Sequence, residues 1–258
     1  MVRRIHSKQT VIPRIILVFL EVLTQWVIHY RLMHFEWILI YFRWVLTAAH
    51  CLFSKKDKPT TLKIVAGDNN AIKKEPEEQH VQICKIYIHP KYDTNAKDHD
   101  IALVKLCNHL TFTPYVRPIL LPSKRFVVPN SACVTAAGWG DTETGGAQPS
   151  ILQKVYLKYF NHLACKEKFG FQFTNRHICA GVVKGGKGTC QGDSGGPLWY
   201  KPDEKPYLVG ISSFVVGGCA RPKLPAVFTN VVHYRTWIGE VMKRRENTLY
   251  QPLFNSSS

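Results

Sequence analysis

The sequence lacks the long unbroken apolar run that a membrane-spanning helix requires. Its longest apolar stretch, residues 15–28, is interrupted by Glu21 and Gln25, whereas a span needs roughly 18 consecutive apolar residues. No two cysteines form a C-x-x-C pair, which argues against a zinc site, and no nucleic-acid-binding motif accompanies the charge. We therefore expect no membrane span and no nucleic-acid partner.

Acidic residues are also scarce. The 258 residues include 34 Lys and Arg against 18 Asp and Glu, which gives a net charge of +16. Such a surplus would attract polyanions such as heparin-like glycans through salt-sensitive contacts, although an ordinary solvated basic surface has the same composition. With 45% apolar residues the chain can bury a core, and its eight cysteines indicate an oxidising, extracellular compartment and a secreted protein.

From residue 45 onward the chain is typical of an all-β protein. Short segments rich in β-branched and aromatic residues alternate with Gly, Pro, Asn and Asp, and residues 234–244 predict a single helix. We divide the chain into an atypical segment at 1–43, a domain at 44–244 and a polar tail at 245–258. Residues 1–43 suit either a degenerate signal or propeptide, or a faulty gene model.

Three segments carry the chemistry. They are residues 44–51 (WVLTAAHC), residues 100–106 (DIALVKL) and residues 188–197 (GTCQGDSGGP). A serine hydroxyl is a poor nucleophile at neutral pH and needs an adjacent base, which a histidine supplies. A carboxylate can then fix the histidine tautomer and stabilise its cation. His50, Asp100 and Ser194 are the candidates for these three roles.

Together these segments resemble the chymotrypsin/trypsin family of serine proteases, whose catalytic residues follow the same chain order. The resemblance runs from Trp44 to about Met242 and implies two six-stranded antiparallel β-barrels with a C-terminal helix, the first barrel being atypical at its N-terminus. It implies an endopeptidase that works through an acyl-enzyme. The amides of Gly192 and Ser194 would form the oxyanion hole, and Ser213 would hydrogen-bond the triad aspartate.

The resemblance also implies a specificity pocket. Its residues would be Gly188, Thr189, Ser213, Phe214, Val215 and Ala226. Trypsin-like members have Asp where this chain has Gly188, which argues against a preference for Lys or Arg. Val215 would narrow the pocket mouth as it does in elastases. We therefore expect cleavage after small aliphatic residues, with a graded preference.

Family pattern implies disulfides Cys165–Cys179 and Cys190–Cys219, and makes Cys84–Cys107 plausible. The family partners of Cys51 and Cys133 would stand at Phe35 and near Tyr200, where no cysteine occurs. We therefore expect both thiols to be free.

The segment 68–78 resembles the calcium loop of trypsins. Oxygen ligands from Asp68, Asn70, Lys73 and Glu78 would suit a structural calcium ion, although a solvated acidic turn is an equally simple interpretation. No other cofactor is expected.

Activation is where the sequence departs most from its family. Relatives free an Ile-Val-Gly-Gly N-terminus whose amine pairs with the aspartate before the nucleophile, here Asp193. Residues 1–43 contain no such segment, and Arg14 with 15–17 is only a poor imitation. We expect Asp193 to stay solvated, the oxyanion hole to remain unformed, and the chain as written to be inactive or very weak.

An alternative is a catalytically silent homologue that binds a partner, although the complete triad favours an enzyme. As partners we expect protein or peptide substrates and protein protease inhibitors, and we expect a monomer.

Overall fold

A computed structural model describes residues 36–170 and 173–246, with the backbone alone at 19–22 and 244–246. Phe35, Arg14 and most of the tail lie outside the described residues. The strands are β1 (Phe19–Val22), β2 (Ile38–Tyr41), β3 (Trp44–Thr47), β4 (Leu62–Ala66), β5 (Gln79–Ile88), β6 (Ala102–Leu106), β7 (Cys133–Gly138), β8 (Gln153–Phe160), β9 (His177–Gly181), β10 (Pro197–Tyr200), β11 (Tyr207–Phe214) and β12 (Ala226–Asn230). The α-helices are α1 (Ala49–Leu52), α2 (His162–Phe169) and α3 (Arg235–Glu246).

The first half of the chain forms a six-stranded antiparallel sheet in the order β1-β4-β5-β6-β3-β2. Strand β3 is buried at all four positions, whereas β5 alternates and exposes one face. The large side chains Trp37, Trp44 and Leu46 fill the core between these strands. The sheet therefore provides a rigid base for the segment that follows β3.

The second half forms a closed antiparallel barrel in the order β10-β11-β12-β9-β8-β7. Phe228, Leu198 and Val134 are fully buried in its interior. The all-β expectation is confirmed. The sheet order leaves β1 and β2 at the edges of the first sheet, whereas the second closes on itself.

Helix α3 returns across the first sheet at the end of the chain, as the sequence predicts. Ile238 is fully buried in the first core, and Trp237 packs beside it. Arg235 at its start donates from Nε to the carbonyl of Pro122, 2.6 Å away, in the segment that links the two halves. Within the described residues no helix is long and apolar enough to cross a membrane.

Candidate active site

Asp100 lies immediately before β6, with 1% of its surface exposed, where the two halves meet. Its Oδ2 lies 2.7 Å from His50 Nδ1, and its Oδ1 accepts the backbone N–H of His50 at 2.9 Å. Ser213 Oγ, on β11 of the barrel, donates to Oδ2 at 2.6 Å. Thr229 Oγ1 donates to the Asp100 carbonyl at 2.7 Å. The carboxylate is therefore buried among donors from both halves, and Ser213 makes the contact that the family resemblance implied.

His50 stands in the short helix α1, directly after the buried strand β3. Burial of the ring disfavours its charged form, but hydrogen-bond contacts of the ring with the Cys51 sulfur and the Asp100 carboxylate raise the pKa of His50 above its ordinary value. Burial also raises the pKa of the Cys51 thiol, whose Sγ lies 3.6 Å from His50 Nε2. That thiol is therefore uncharged at neutral pH, and Asp100 is the anion that stabilises the histidine cation.

Ser194 stands in a tight turn between Cys190 and β10. The amide of Gly195 donates to the Ser212 carbonyl at 2.9 Å, which fixes the turn against β11. The Ser194 carbonyl accepts the amide of Glu36 at 3.0 Å. Gly192 adopts a φ of +95°, a left-handed conformation that favours glycine. Residues from both halves therefore hold the candidate nucleophile.

Asp193 is turned inward, and the expectation that it stays solvated is wrong. Its Oδ1 accepts the amide of Gly140 and its Oδ2 the amide of Cys190, both at 2.8 Å. These amides supply donors that the sequence could not reveal, and the carboxyl of Glu36 faces Asp193 from the first sheet. Burial raises the pKa of Asp193 to about 6.

Sequence reasoning missed Glu36. The residue is fully buried just before β2, and its Oε1 accepts the amide of Trp139 at 2.8 Å. A charged residue between apolar neighbours in residues 35–40 was the signal that could have found it.

The predicted pocket residues lie at the end of β11, just after it, at the start of β12 and in the segment before Ser194. A Cβ added at Gly188 would lie 3.3 Å from the Ala220 Cα, so the two backbones pass close together. Thr189 is buried, and its Oγ1 has no hydrogen-bond partner among the described residues. Ala226 is also buried, and Val215 packs on the barrel core.

Phe214, another predicted pocket residue, is the last residue of β11. Its ring makes an edge contact with His177, at 6.1 Å between ring centroids. The predicted pocket residues are thus all apolar or hydroxyl-bearing, and none of them is charged.

The three expected disulfides are present. They join Cys84 to Cys107, Cys165 to Cys179, and Cys190 to Cys219. Cys51 is a buried free thiol and Cys133 an exposed one, as predicted.

The loop 68–78 is closed by its own hydrogen bonds. Glu75 Oε2 accepts the amides of Asn69 and Asn70, while Glu78 Oε1 accepts the amide of Glu75 and its Oε2 lies 2.9 Å from His80 Nε2. A cation at Glu78 would compete with these donors for the carboxylate. Among the described residues, no group of three or more His, Cys, Asp or Glu could hold a metal. Calcium at Asp68, Asn70, Lys73 and Glu78 stays a prediction.

Comparison with known proteins gives one consistent result. The Trypsin family model matches residues 38–238. Trypsin-1 of Astacus astacus is 40% identical over 197 residues, which cover 76% of this chain and 82% of that protein. Chymotrypsin-like elastase family member 1 of Homo sapiens is 37% identical over 204 residues, covering 77% of each chain. The same elastase of Macaca fascicularis is also 37% identical, covering 77% of this chain and 75% of its own.

Proposed function

We propose, from the premise that this chain belongs to the trypsin family of serine endopeptidases, that it cleaves peptide bonds after small aliphatic residues with Ser194 as its nucleophile. His50 would act as the general base and acid, and Asp100 would hold the histidine. The single observation that carries this proposal is the buried Asp100 carboxylate, which is bound by His50 from the first half and Ser213 from the second.

In this mechanism Ser194 Oγ attacks the substrate carbonyl carbon while its proton passes to His50. The carbonyl oxygen becomes an anion, which the amides of Gly192 and Ser194 would stabilise. His50 then returns the proton to the leaving amine, the C–N bond breaks, and an acyl-enzyme remains. Water, deprotonated by His50, attacks the ester and frees the acid product together with the serine.

The predicted inactivity of the chain as written depended on a solvated Asp193. Since both carboxyl oxygens of Asp193 accept backbone amides, the premise of that prediction is lost. We therefore propose that the chain hydrolyses peptides without an added N-terminus.

Specificity rests on the pocket residues, because the relatives include both a trypsin and an elastase. Gly188 offers no charge to a basic side chain, and Val215, which is partly buried against the barrel core, would narrow the mouth of the pocket. One methylene in such a pocket changes binding by about 1–3 kcal/mol, so Val and Ala would be preferred over larger residues by degrees.

The test is a peptide library with each residue in turn before the scissile bond, digested by the full chain. We expect dominant cleavage after Val and Ala, and none by Ser194→Ala. The φ of Gly188 lies outside the left-handed region, and an added Cβ would lie 3.3 Å from the Ala220 Cα. We therefore expect Gly188→Asp to fold and to shift cleavage toward Lys and Arg. Parent cleavage mainly after Lys, Arg, Phe or Tyr would overturn the specificity, and no cleavage at all would overturn the function.

The remaining expectations stay proposals. Three disulfides support secretion, since such bonds persist in oxidising compartments. The net charge of +16 supports polyanion binding that weakens with salt. Protein protease inhibitors as partners and a monomeric state follow from the family alone.

A further inference from the structure

Glu36 occupies a socket built of backbone. Glycines line it, because a Cβ at Gly138 or at Gly196 would overlap the Glu36 carboxyl group. Oε1 accepts the amide of Trp139, while Oε2 is buried without a hydrogen-bond donor among the described residues. The segment is also held through its backbone, since Thr47 Oγ1 donates to the Glu36 carbonyl at 2.9 Å. The side chain is therefore fixed, and its Oε1 lies beside a second acid, because a Cβ at Gly138 would lie 1.8 Å from Glu36 Oε1 and 2.1 Å from a carboxyl oxygen of that acid.

That acid is Asp193. Each of its two carboxyl oxygens accepts a backbone amide. When it is ionised, Asp193 has no proton to donate to Glu36. The other titratable groups facing the pair are the neutral Cys51 thiol, beside Glu36, and Asp141, beside Asp193. No cation among these groups compensates two adjacent buried carboxylates. Two such charges side by side cannot both persist, so the pair must hold a proton.

We propose that Glu36 is a positioning residue, and that its carboxyl group carries a proton which it shares with the Asp193 carboxylate, thereby holding the Ser194 turn in place. Glu36 also contacts this turn through its backbone, because its N–H donates to the Ser194 carbonyl at 3.0 Å.

The electrostatics agree with this assignment. Burial, followed by the Asp193 charge, raises the pKa of Glu36 well above its usual range, while the pKa of Asp193 rises only to about 6. Asp193 accepts two backbone amides and Glu36 accepts one, so the charge is favoured on Asp193 and the proton on Glu36. The acid–carboxylate hydrogen bond is lost when Glu36 ionises.

The sign of the effect on folding follows. Glu36 has a higher pKa folded than unfolded, so its contribution is complete below the unfolded pKa of about 4.3 and is lost as pH rises through the folded pKa. Between the unfolded and the folded pKa of Glu36, folding is accompanied by the uptake of up to one proton by this residue. The folding equilibrium constant should thus fall by up to about tenfold per pH unit on account of Glu36.

The first experiment measures unfolding of the full chain by denaturant at several pH values, and does not depend on catalysis. Glu36→Gln keeps the shape of the side chain and carries an amide that can accept from Trp139 and donate to Asp193, but it has no titratable proton. We expect this variant to lose the steep alkaline fall in stability, whereas a change at an exposed acid, Glu167→Gln, should keep it. Equal pH slopes in the parent and Glu36→Gln would overturn the proposal.

The second experiment measures kcat and KM against pH, and it rests on the proposed function. We expect Glu36→Gln to retain kcat within about threefold at neutral pH and to lose the alkaline decline that the parent shows. Glu36→Leu cannot donate, so kcat should fall by up to roughly 10²-fold, the effect of losing an oxyanion donor, with KM much less affected. Full kcat in Glu36→Leu, or an alkaline decline kept in Glu36→Gln, would overturn the positioning role. If the parent cleaves nothing but the first experiment succeeds, the proposed function fails while the shared proton stands.

Discussion

Two aspartates, Asp100 and Asp193, stand at the same site and are supported in opposite ways. Asp100 is surrounded by donors, namely the amide and ring of His50 and the hydroxyl of Ser213. Asp193 has two backbone amides and then meets a second carboxyl group, that of Glu36. The first anion is compensated by its neighbours, whereas the second requires a proton on its neighbour.

The difference shows what a buried carboxylate needs. Hydrogen bonds from neutral donors and one ionisable base are sufficient at Asp100, and they connect the two halves of the fold directly at the reacting group. At Asp193 the fold gains a rigid turn, but it becomes sensitive to pH through Glu36. Each prediction below changes one side of this comparison.

The largest effect should come from replacing the well-compensated aspartate. Asp100→Asn offers an amide in place of an acceptor, which favours the wrong His50 tautomer, and we expect kcat to fall by about 10⁴-fold, the loss known for the triad of this family. Asp98→Asn is the control: Asp98 pairs with Arg176 in a half-exposed ion pair, so its loss should change kcat little. A loss below tenfold in Asp100→Asn would contradict the role of Asp100.

An intermediate effect should come from filling the Glu36 socket. In Gly196→Ala the new methyl group would overlap Glu36 Oε2, and overpacking of this kind costs about 1–3 kcal/mol of unfolding free energy. The cost should shrink when the same change is made in Glu36→Gly, because the overlapping carboxyl is gone.

Denaturant unfolding of the single and double variants measures this coupling. Gly239→Ala is the control, since a Cβ there meets nothing within 4 Å and alanine favours the helix α3. An equal cost of Gly196→Ala in both backgrounds would show that Glu36 does not fill the socket.

The smallest effect concerns the two free thiols, of which one, Cys51, lies beside His50. Cys51 is buried against His50, whereas Cys133 is exposed at the start of β7. A thiol reagent should therefore modify one cysteine in the native protein and two after denaturation without reductant. Cys133→Ser should remove the native reaction. Rapid native modification of Cys51, or its recovery in a disulfide peptide, would contradict this arrangement.

Much of the site could be predicted because its motifs are local. The residues flanking His50, Asp100 and Ser194 form short contiguous signatures, and the cysteines at 165, 179, 190 and 219 follow a family pattern. The strands after residue 45 were visible through their composition and their turn residues, and α3 through its apolar face. These features depend on neighbours in sequence, so one sequence is enough to read them.

The sequence by itself determined the order of the catalytic residues and the all-β class, while the family resemblance implied two disulfides and made a third plausible. Only the tertiary structure decided the surroundings of Asp193. Glu36 meets Trp139 across 103 residues of chain, and it reaches Asp193 only after the first sheet docks on the barrel. The proton state of that pair depends on burial and on the distance between two carboxyls, and neither quantity exists until the chain is folded.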